Sequence, residues 1–334
     1  MHAVGMIIGH GYAKAVCGNR ATRFPAIAAP ARETGYESAL GCGPATINLN
    51  GQGDWLIGED ALTFAPQRLV SILDRTRYSD PSFLALARHA LHQVVLGTGS
   101  LTILTGMPGA WFADKQARST LEQAIRHAAE PWGTATVKVA PEAAGIFYHY
   151  VFERGTLDTS RARGQIGIID IGYRDMNVAS FQDGRYVTGE SVPGGSIDAL
   201  RQIKRLISES YGLELAPHEV DAAIRAGGVR VAGELRPLPP GSQAALEAGL
   251  GTLLATGRSL WPNGGKTLDA IVLGGGGAIP LGAAIRRAFP QLTVPGTSLK
   301  DIPDEQLPHA IAQADPQLAG ARGFAAAAVA AGAR

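Results

Sequence analysis

Short apolar runs of strand length alternate along this chain with longer segments that have helical spacing. The apolar runs lie at Val4–Gly9, Ala13–Cys17, Leu101–Thr105, Thr134–Val139, Ile166–Ile171, Met176–Gln182, Arg185–Thr188 and Asp269–Leu273. The helical segments lie at Asp80–Gly97, Ala117–His127, Pro141–Phe152, Ser196–Tyr211, Ser242–Trp261, from Leu281 onward, and Phe324–Ala333. Apolar strands without strict polar alternation are typical of sheets covered on both faces. The pattern therefore predicts an α/β protein.

Each half of the chain opens with the same arrangement of a strand, a glycine turn and a second strand. The turn reads Gly9-His10-Gly11-Tyr12 in the first half and Asp170-Ile171-Gly172-Tyr173 in the second. This weak internal duplication indicates two related domains. The polar segment Arg154–Gln165 is the best boundary, so we expect domains at 1–160 and 161–319.

Composition narrows the class of protein. The 334 residues are 46% hydrophobic and 18% charged, with a formal net charge of +1, which argues against a large nucleic-acid footprint. Two cysteines, Cys17 and Cys42, give no disulfide framework, so a cytoplasmic location is expected. The apolar start Met1–Ile8 lacks a signal-peptide pattern, and no apolar run is long enough to span a membrane.

Asp170 is the main candidate for chemistry. It ends an apolar strand, where open α/β sheets place their ligands, and Gly172 lets backbone N–H groups approach an anion. A carboxylate beside an anion cradle indicates a metal–phosphate site. A strand that ends in a helix N-cap Asp has the same pattern, so both readings stay open for this segment alone.

Two further segments carry candidate chemistry. A run of four glycines, Gly274, Gly275, Gly276 and Gly277, follows a strand and precedes a helix. This pattern indicates either a backbone cradle for a ligand or a flexible turn. Glu142 follows Pro141 at the start of a predicted helix. It is either a first-turn Glu that the helix dipole favours or a carboxylate that orients a water molecule.

Other motifs are rejected. A dinucleotide fingerprint fails because Pro280 stands in place of the third glycine, and a P-loop ending at Gly265-Lys266-Thr267 fails because Leu260 replaces its first glycine. His89 and His92 share a helix face without a third metal ligand nearby in sequence. The chain also has no G-x-S-x-G elbow, so nothing supports a covalent hydrolase.

Taken in order, the motifs resemble those of a known superfamily. They are Gly9–Tyr12, Trp55–Leu62 (WLIGEDAL), Thr105–Pro108, Val139–Gly145 (VAPEAAG), Ile168–Val178, Val192–Ser196 (VPGGS), Val272–Ala278 and Leu318–Phe324 (LAGARGF). The chain resembles the actin/Hsp70/sugar-kinase superfamily, and most of all its bacterial and archaeal actin-like branch, the ParM and Alp type of plasmid-segregation proteins. The resemblance implies a two-domain actin-like (ribonuclease H-like) ATPase fold, with mixed five-stranded sheets and a nucleotide cleft between domains. It also implies that a C-terminal helix at 320–334 returns to the first domain.

The resemblance also implies a site for ATP or GTP with Mg²⁺. Asp170 would hold Mg²⁺ through water and Glu142 would orient the attacking water. The phosphate loops would contribute Gly11, Tyr12 and Lys14, and Gly172, Tyr173 and Arg174. Gly194 and Gly195 would start the helix that reaches the ribose, with Lys204 as a candidate ribose contact. Gly274, Gly275, Gly276 and Gly277 would carry the adenine and ribose.

The chain departs from the family pattern in both loops. Gly9-His10-Gly11 supplies none of the usual first-loop Asp, so one metal-site charge is missing. Asn177 stands where an Asp is common, and Asp175 and Met176 replace a Thr pair. Asp175 would repel phosphate, whereas Arg174 would attract it. Lys14 would partly offset the missing metal charge, or it is a solvated strand residue.

Three functions follow from the resemblance. The first is an ATPase that polymerises into filaments for DNA or plasmid segregation or cytoskeletal positioning, with an adaptor protein bound to DNA as a partner. The second is a nucleotide-binding scaffold with weakened hydrolysis, because the loops are altered. The third is a small-molecule kinase of the same superfamily, although no distinctive sugar-binding segment is present.

Overall fold

A computed structural model describes residues 1–31, 45–49, 51, 53–70, 72–153 and 155–332. Cys42 and Arg154, named above, lie outside these residues, as does Ala333 at the end of the predicted last helix. The predicted α/β class is confirmed, and contacts divide the chain into two compact units. The first unit holds residues 1–158 and 318–334, and the second holds 159–317.

Strands occur throughout both units. They are β1 (His2–Ile8), β2 (Tyr12–Cys17), β3 (Arg20–Pro25), β4 (Ala28–Pro30), β5 (Thr46–Asn48), β6 (Asp54–Ile57), β7 (Leu101–Met107), β8 (Ala135–Pro141), β9 (Phe152–Glu153), β10 (Thr156–Leu157), β11 (Gln165–Ile171), β12 (Asp175–Gln182), β13 (Arg185–Pro193), β14 (Gly228–Val231), β15 (Glu234–Pro237), β16 (Ala270–Gly274), β17 (Leu292–Val294) and β18 (Thr297–Ser298).

Helices connect and cover these strands. They are α1 (Glu59–Phe64), α2 (Pro81–Val94), α3 (Gly109–Phe112), α4 (Lys115–Ala129), α5 (Glu142–Val151), α6 (Thr159–Ala162), α7 (Ser196–Tyr211), α8 (Pro217–Ala226), α9 (Ser242–Glu247), α10 (Leu250–Leu260), α11 (Ala278–Ala288), α12 (Leu307–Gln313) and α13 (Ala319–Gly332). Short 3₁₀ turns lie at Pro66–Arg68, Arg75–Ser79, Glu130–Trp132 and Pro262–Gly265.

The first unit is built on a five-stranded sheet in the order β3-β2-β1-β7-β8. The β1–β2–β3 pairs are antiparallel, and β7 and β8 run parallel to β1. Val4 and Met6 on β1 pack into a core with α2 and α4. Gly5 faces the other way, against α13, where an added Cβ would stand 2.0 Å from the carbonyl oxygen of Ala321. Strand alternation therefore gives β1 one face for each helical layer.

The second unit repeats this topology in a sheet ordered β13-β12-β11-β16-β17-β18. Again a meander of antiparallel strands adjoins parallel ones, because β16 runs parallel to β11 and β17 parallel to β16. The sheet has six strands rather than the five implied by the resemblance, since the two-residue β18 adds an edge. Ile169 and Ile171 face α10 and α11 in the core of this unit.

One predicted helix is divided. The segment Ser242–Trp261 forms α9 and α10, which are separated at Ala248-Gly249. A Cβ at Gly249 would stand 3.1 Å from the Gly194 carbonyl oxygen and 3.1 Å from Cε of Met176. The missing side chain at Gly249 thus lets this point of the chain approach the segment before α7.

Candidate functional site

The second-half glycine turn is a tight loop between β11 and β12. Its ends are joined by a hydrogen bond of 3.0 Å from the N–H of Gly172 to the carbonyl oxygen of Asp175. A Cβ at Gly172 would stand 2.8 Å from that same oxygen, so only glycine fits. Tyr173 and Arg174 form the tip of this turn, which we call the second loop (residues 172–175).

The start of α7 is bonded directly to the second loop. The N–H groups of Gly195, Ser196 and Ile197 donate to the carbonyl oxygens of Arg174, Gly172 and Tyr173 at 2.8, 3.1 and 2.8 Å. These are the helix-terminal amides that otherwise lack partners. A Cβ at Gly195 would stand 2.7 Å from three loop atoms. Gly195 is therefore a packing glycine whose N–H holds the loop.

The Gly274–Gly277 turn lies against the other side of the same strand end. The N–H of Gly277 donates to the carbonyl oxygen of Ile171 at 3.1 Å. Gly275 has φ of +87°, and a Cβ there would stand 2.4 Å from the Ile171 oxygen and 2.5 Å from Oδ1 of Asp170. The structure thus brings together Asp170, the second loop, the start of α7 and the glycine turn.

A polar row crosses the sheet beside Asp170. Asn177 on β12 is directly opposite Asp170, and Ser191 on β13 is opposite Asn177. Residues paired in this way share one face. The Ser191 hydroxyl donates to Oδ1 of Asn177 at 2.7 Å, and Asn177 is only 6% exposed. The row offers carboxylate, amide and hydroxyl oxygens, which suit a hard cation such as Mg²⁺.

The charges at the tip of the second loop form a pair. Nε of Arg174 lies 3.0 Å from Oδ2 of Asp175, with both side chains largely shielded from solvent. The negative charge of Asp175, which we expected to repel phosphate, is therefore balanced by its neighbour. Burial raises the pKa of the Tyr173 phenol; the Arg201 charge opposes this shift and Asp221 adds to it.

Helix α8 contributes residues that the sequence alone did not single out. Arg225 is held by Asp221 through two hydrogen bonds, of 2.9 and 3.3 Å. Its Nη2 would be 3.5 Å from a Cβ at Gly276, and Nε2 of the buried Gln317 would be 3.6 Å away. A planar cation and an amide therefore lie beside the glycine turn. The only sequence signal is an i, i+4 charge pair, which also marks ordinary solvated helices.

Lys204 on α7 pairs with a residue of the segment that follows the helix. Its ammonium is 3.4 Å from Oε2 of Glu214. Gly194, with φ of +93°, precedes the helix, and a Cβ there would be 3.6 Å from Oδ2 of Asp198. Asp198, rather than Lys204, is therefore the charged α7 side chain nearest the glycines that start the helix.

In the first unit, the Gly9–Tyr12 turn joins β1 and β2 by a 3.1 Å bond from the Gly9 N–H to the Tyr12 oxygen. The Gly11 oxygen accepts from the N–H of Ala26 at 2.9 Å. Nη2 of Arg77, which is 7% exposed, donates to the Gly9 oxygen at 3.0 Å. A buried guanidinium therefore adjoins this turn, whose own four residues include no carboxylate.

Lys14 and Glu142 occupy ordered positions in the first unit. Lys14 is half-buried in β2, in register with Ile7 and Arg23. Glu142 is the first residue of α5 and is half-buried. Its Cγ would be 2.9 Å from a Cβ at Gly106 at the end of β7. The missing side chain at Gly106 gives the Glu142 stem its space.

Two kinds of feature are absent from the described ranges. His, Cys, Asp and Glu side chains do not gather there in groups of three or more that could hold a metal ion. A Mg²⁺ ion would therefore need oxygens from water or a ligand besides Asp170. Among the helices of the same ranges, none combines the length and hydropathy needed to cross a bilayer.

Comparisons with known proteins agree with this architecture. Residues 5–145 match the family model described as the actin-like proteins N-terminal domain. No curated protein sequence matches the chain. Among solved structures, the archaeal actin homologue Ta0583 is 17% identical, with a TM-score of 0.73 over 98% of this chain and 99% of its own. The same homologue in complex with ADP has 18% identity, a TM-score of 0.72 and coverage of 98% and 99%.

Two filament structures are also similar. A 15-stranded ParM filament from Clostridium botulinum is 14% identical, with a TM-score of 0.71 over 98% of each chain. A MamK double helical filament is 15% identical, with a TM-score of 0.65 over 99% of this chain and 98% of its own. The whole chain therefore has the fold of the actin homologues, and its residues 5–145 are similar to the N-terminal domain of actin-like proteins.

Proposed function

We propose that this protein binds a purine nucleoside triphosphate with Mg²⁺, hydrolyses it and assembles into filaments. The observation that carries the proposal is the backbone cradle around Asp170. A Cβ at Gly172 or Gly275 would collide with the backbone of Asp175 or Ile171, so these glycines let two turns pack closely beside a carboxylate at a strand end. Glycines that expose backbone at such a point are typical of phosphate sites.

The residues fit the nucleotide and its metal as follows. Asp170, with Asn177 beside it, would hold Mg²⁺ largely through water, and the metal would neutralise phosphate charge. The N–H groups of Tyr173 and Arg174 would meet phosphate, since the loop carbonyls are bonded to α7. Gly276, Arg225 and Gln317 would adjoin the base and ribose. Glu142 would orient the attacking water, the main task of a carboxylate in phosphoryl transfer.

Self-association is proposed from the two filament structures named above, which are assemblies of proteins with a similar fold. The role we infer is DNA or plasmid segregation or cytoskeletal positioning in the cytoplasm, with a DNA-bound adaptor as a further partner. The balanced net charge of +1 favours an adaptor over direct binding of DNA.

Calorimetry with ATP and GTP, each with and without Mg²⁺, tests the site. Asp170→Asn should weaken Mg²⁺-dependent binding by about tenfold or more, because it removes the carboxylate charge with little change of shape. Asp183→Asn is the matched control: it lies at the distant end of the same strands, and its Oδ1 accepts from the N–H of Gly164, a bond that Asn retains. Equal affinity in wild type and Asp170→Asn would refute the assigned site.

Light scattering, sedimentation and electron microscopy with ATP and Mg²⁺ test assembly. We expect a nucleotide-dependent rise in scattering and visible filaments. A monomer at every protein concentration, with or without nucleotide, would refute filament formation.

A second candidate is a nucleotide-binding scaffold with weakened hydrolysis. Arg77 adjoins the Gly9–Tyr12 turn, and the four residues of this turn include no carboxylate that could hold a metal. Tight ATP binding with negligible phosphate release would select the scaffold, whereas steady turnover would select the ATPase.

A further inference from the structure

The second unit contains a cavity of about 270 Å³ behind the second loop. It is walled by the ends of β11 and β12, the start of α7, the α9–α10 junction and the start of α11. The lining residues used below are Ile171, Met176, Ser196, Asp198, Gln202 and Ala248.

The cavity lies on the opposite face of the sheet from Asp170. Ile171 and its cross-strand partner Met176 line the cavity. Asp170 and Asn177, each one position away, point to the other face, because successive side chains of a strand alternate. The hydrogen bond from the Gly277 N–H to the Ile171 oxygen closes the backbone between the two faces. The cavity therefore lies on the opposite face of the sheet from the proposed phosphate and metal residues, and Gly194, Gly195 and Gly277, which we assigned to the ribose and base, form its border with the nucleotide site.

Helix α7 borders both the cavity and α8. Leu200 and Ile203 pack with Tyr173 and with residues of α8. Asp198 and Gln202 are one turn apart and both line the cavity. Leu200 and Gln202 differ by about 200° around the helix axis. Ala199 also lines the cavity and is about 40° from Ile203 around the axis, so α7 borders both the cavity and the packing with α8.

The cavity has an apolar floor and a polar mouth. Ile171 and Met176 at the floor are 1% and 2% exposed. Asp198 and Gln202 at the mouth are exposed, and Asp198 pairs with exposed Arg201 at 3.1 Å. An exposed ion pair contributes little free energy, so a ligand cation can replace Arg201 at this carboxylate. The volume is below the usual range for drug-sized ligands and suits one ring system.

We propose that this cavity binds a small organic amine, with an apolar ring on the floor and its ammonium beside Asp198, and that the amine acts as an effector of the second loop. The effector role follows from the residues that line the cavity. Ile171, Met176 and Ser196 belong to the segments that hold residues 172–175 in place, so a ligand in the cavity would contact these segments directly. That role rests on the proposed function, whereas the binding site itself does not.

Methionine methyl NMR gives a direct test. The chain has four methionines, and Met176 alone of these lines the cavity. Met6 and Met107, in the first unit, serve as internal controls. Tryptamine, an indole on an aminoethyl chain, is the probe. We expect a saturable shift of the Met176 signal, with a Kd on the order of a millimolar for a ligand of this size.

Variants and probe analogues locate the amine. Ala248→Phe should abolish the Met176 shift by filling the mouth of the cavity. Asp198→Asn should weaken tryptamine binding about threefold. Glu209→Gln is its matched control, since this exposed α7 carboxylate also pairs with an arginine, Arg205, on the same helix. Neutral indole should bind more weakly, and indole-3-acetate more weakly still.

Three results would overturn the proposal. A Met176 signal that does not respond, or that responds equally in Ala248→Phe, excludes the site. Equal affinity in wild type and Asp198→Asn excludes the position of the ammonium. Unchanged ATP affinity with saturating tryptamine excludes the effector role, because coupling between sites is reciprocal. If ATP itself does not bind, the proposed function fails, and the response of the Gly172 amide signal to tryptamine decides the effector role instead.

Discussion

Gly275 lies directly against Asp170: a Cβ on Gly275 would stand 2.5 Å from Oδ1 of the carboxylate. The same Cβ would also meet the backbone of Ile171, which the parallel pairing of β11 with β16 holds in place. The position of the carboxylate and the conformation of the glycine turn are therefore set by one contact.

Gly275→Ala should lower the free energy of unfolding by about 3 kcal/mol, because φ of +87° and a backbone clash both penalise a side chain. Gly276→Ala is the control, since its nearest atoms are 3.5 Å or more away on flexible side chains. We expect a change below about 1 kcal/mol there. Urea denaturation measures both, and equal losses would contradict the packing described.

Glu142→Gln should reduce ATP turnover by about a hundredfold or more and leave ATP affinity unchanged, because the amide keeps the shape but cannot accept the proton of water in the same way. Phosphate release and calorimetry provide the two measurements. Glu130→Gln, an exposed carboxylate of the same unit, is the control. Normal turnover in Glu142→Gln would exclude a catalytic role for Glu142 and show that it serves only as the first residue of α5.

Asn177→Asp should place two carboxylates opposite each other on β11 and β12. Without a cation we expect a loss of about 1 kcal/mol in unfolding free energy, since directly opposed like charges destabilise a sheet. Mg²⁺ with ATP should remove this loss, because the metal neutralises the pair. Thermal denaturation in EDTA and in Mg²⁺–ATP makes the comparison. An equal loss in both conditions would argue against a cation beside Asp170.

Gly323→Ala should destabilise the first unit by about 3 kcal/mol, since overpacking at a rigid contact forces backbone apart. A Cβ at Gly323 would stand 1.8 Å from the carbonyl oxygen of Gly145 on α5. Val329→Ala, at an exposed site on the same helix, is the control and should change stability little. Circular dichroism during urea denaturation would show the difference, and a wild-type midpoint for Gly323→Ala would disprove the close crossing.

Acidification should destabilise the first unit through His89. Burial lowers the pKa of His89 below its usual value of 6.5; the charge of His92 adds to this and Asp60 opposes it. The imidazole also packs edge-on against Phe24 at 4.7 Å. The unfolded chain therefore takes up a proton first, so stability is full above pH 6.5 and falls as pH drops toward the folded-state pKa. His89→Gln should flatten Tm between about pH 7 and pH 5; an unchanged slope would contradict this account.

The repeated architecture could be predicted from the sequence because it depends on local signals. Apolar runs and glycine turns mark β1–β2 and β11–β12, and α7 occupies the predicted range Ser196–Tyr211. The position of Asp170 could be predicted too, because the apolar run that forms β11 continues to this residue and so places it near the end of a strand.

The rest of the candidate site depends on contacts between distant segments. Arg77 reaches Gly9 across 68 positions, from a 3₁₀ turn without any periodic pattern. Arg225 and Gln317 meet at Gly276 only because α8 and the segment after α12 pack beside the same turn. On a sequence, such charges are indistinguishable from those of a solvated helix face.

Because α13 covers Gly5, the first unit cannot finish folding until α13 has been synthesised. Residues 159–317 form the second unit as one continuous stretch, whereas the first unit needs residues from 318 onward. A ribosome makes β1 early, but the helix that packs on its second face emerges only after the second unit. The N-terminal segment therefore stays partly uncovered while the second unit folds. This order is the reverse of the usual N-to-C order of cotranslational folding.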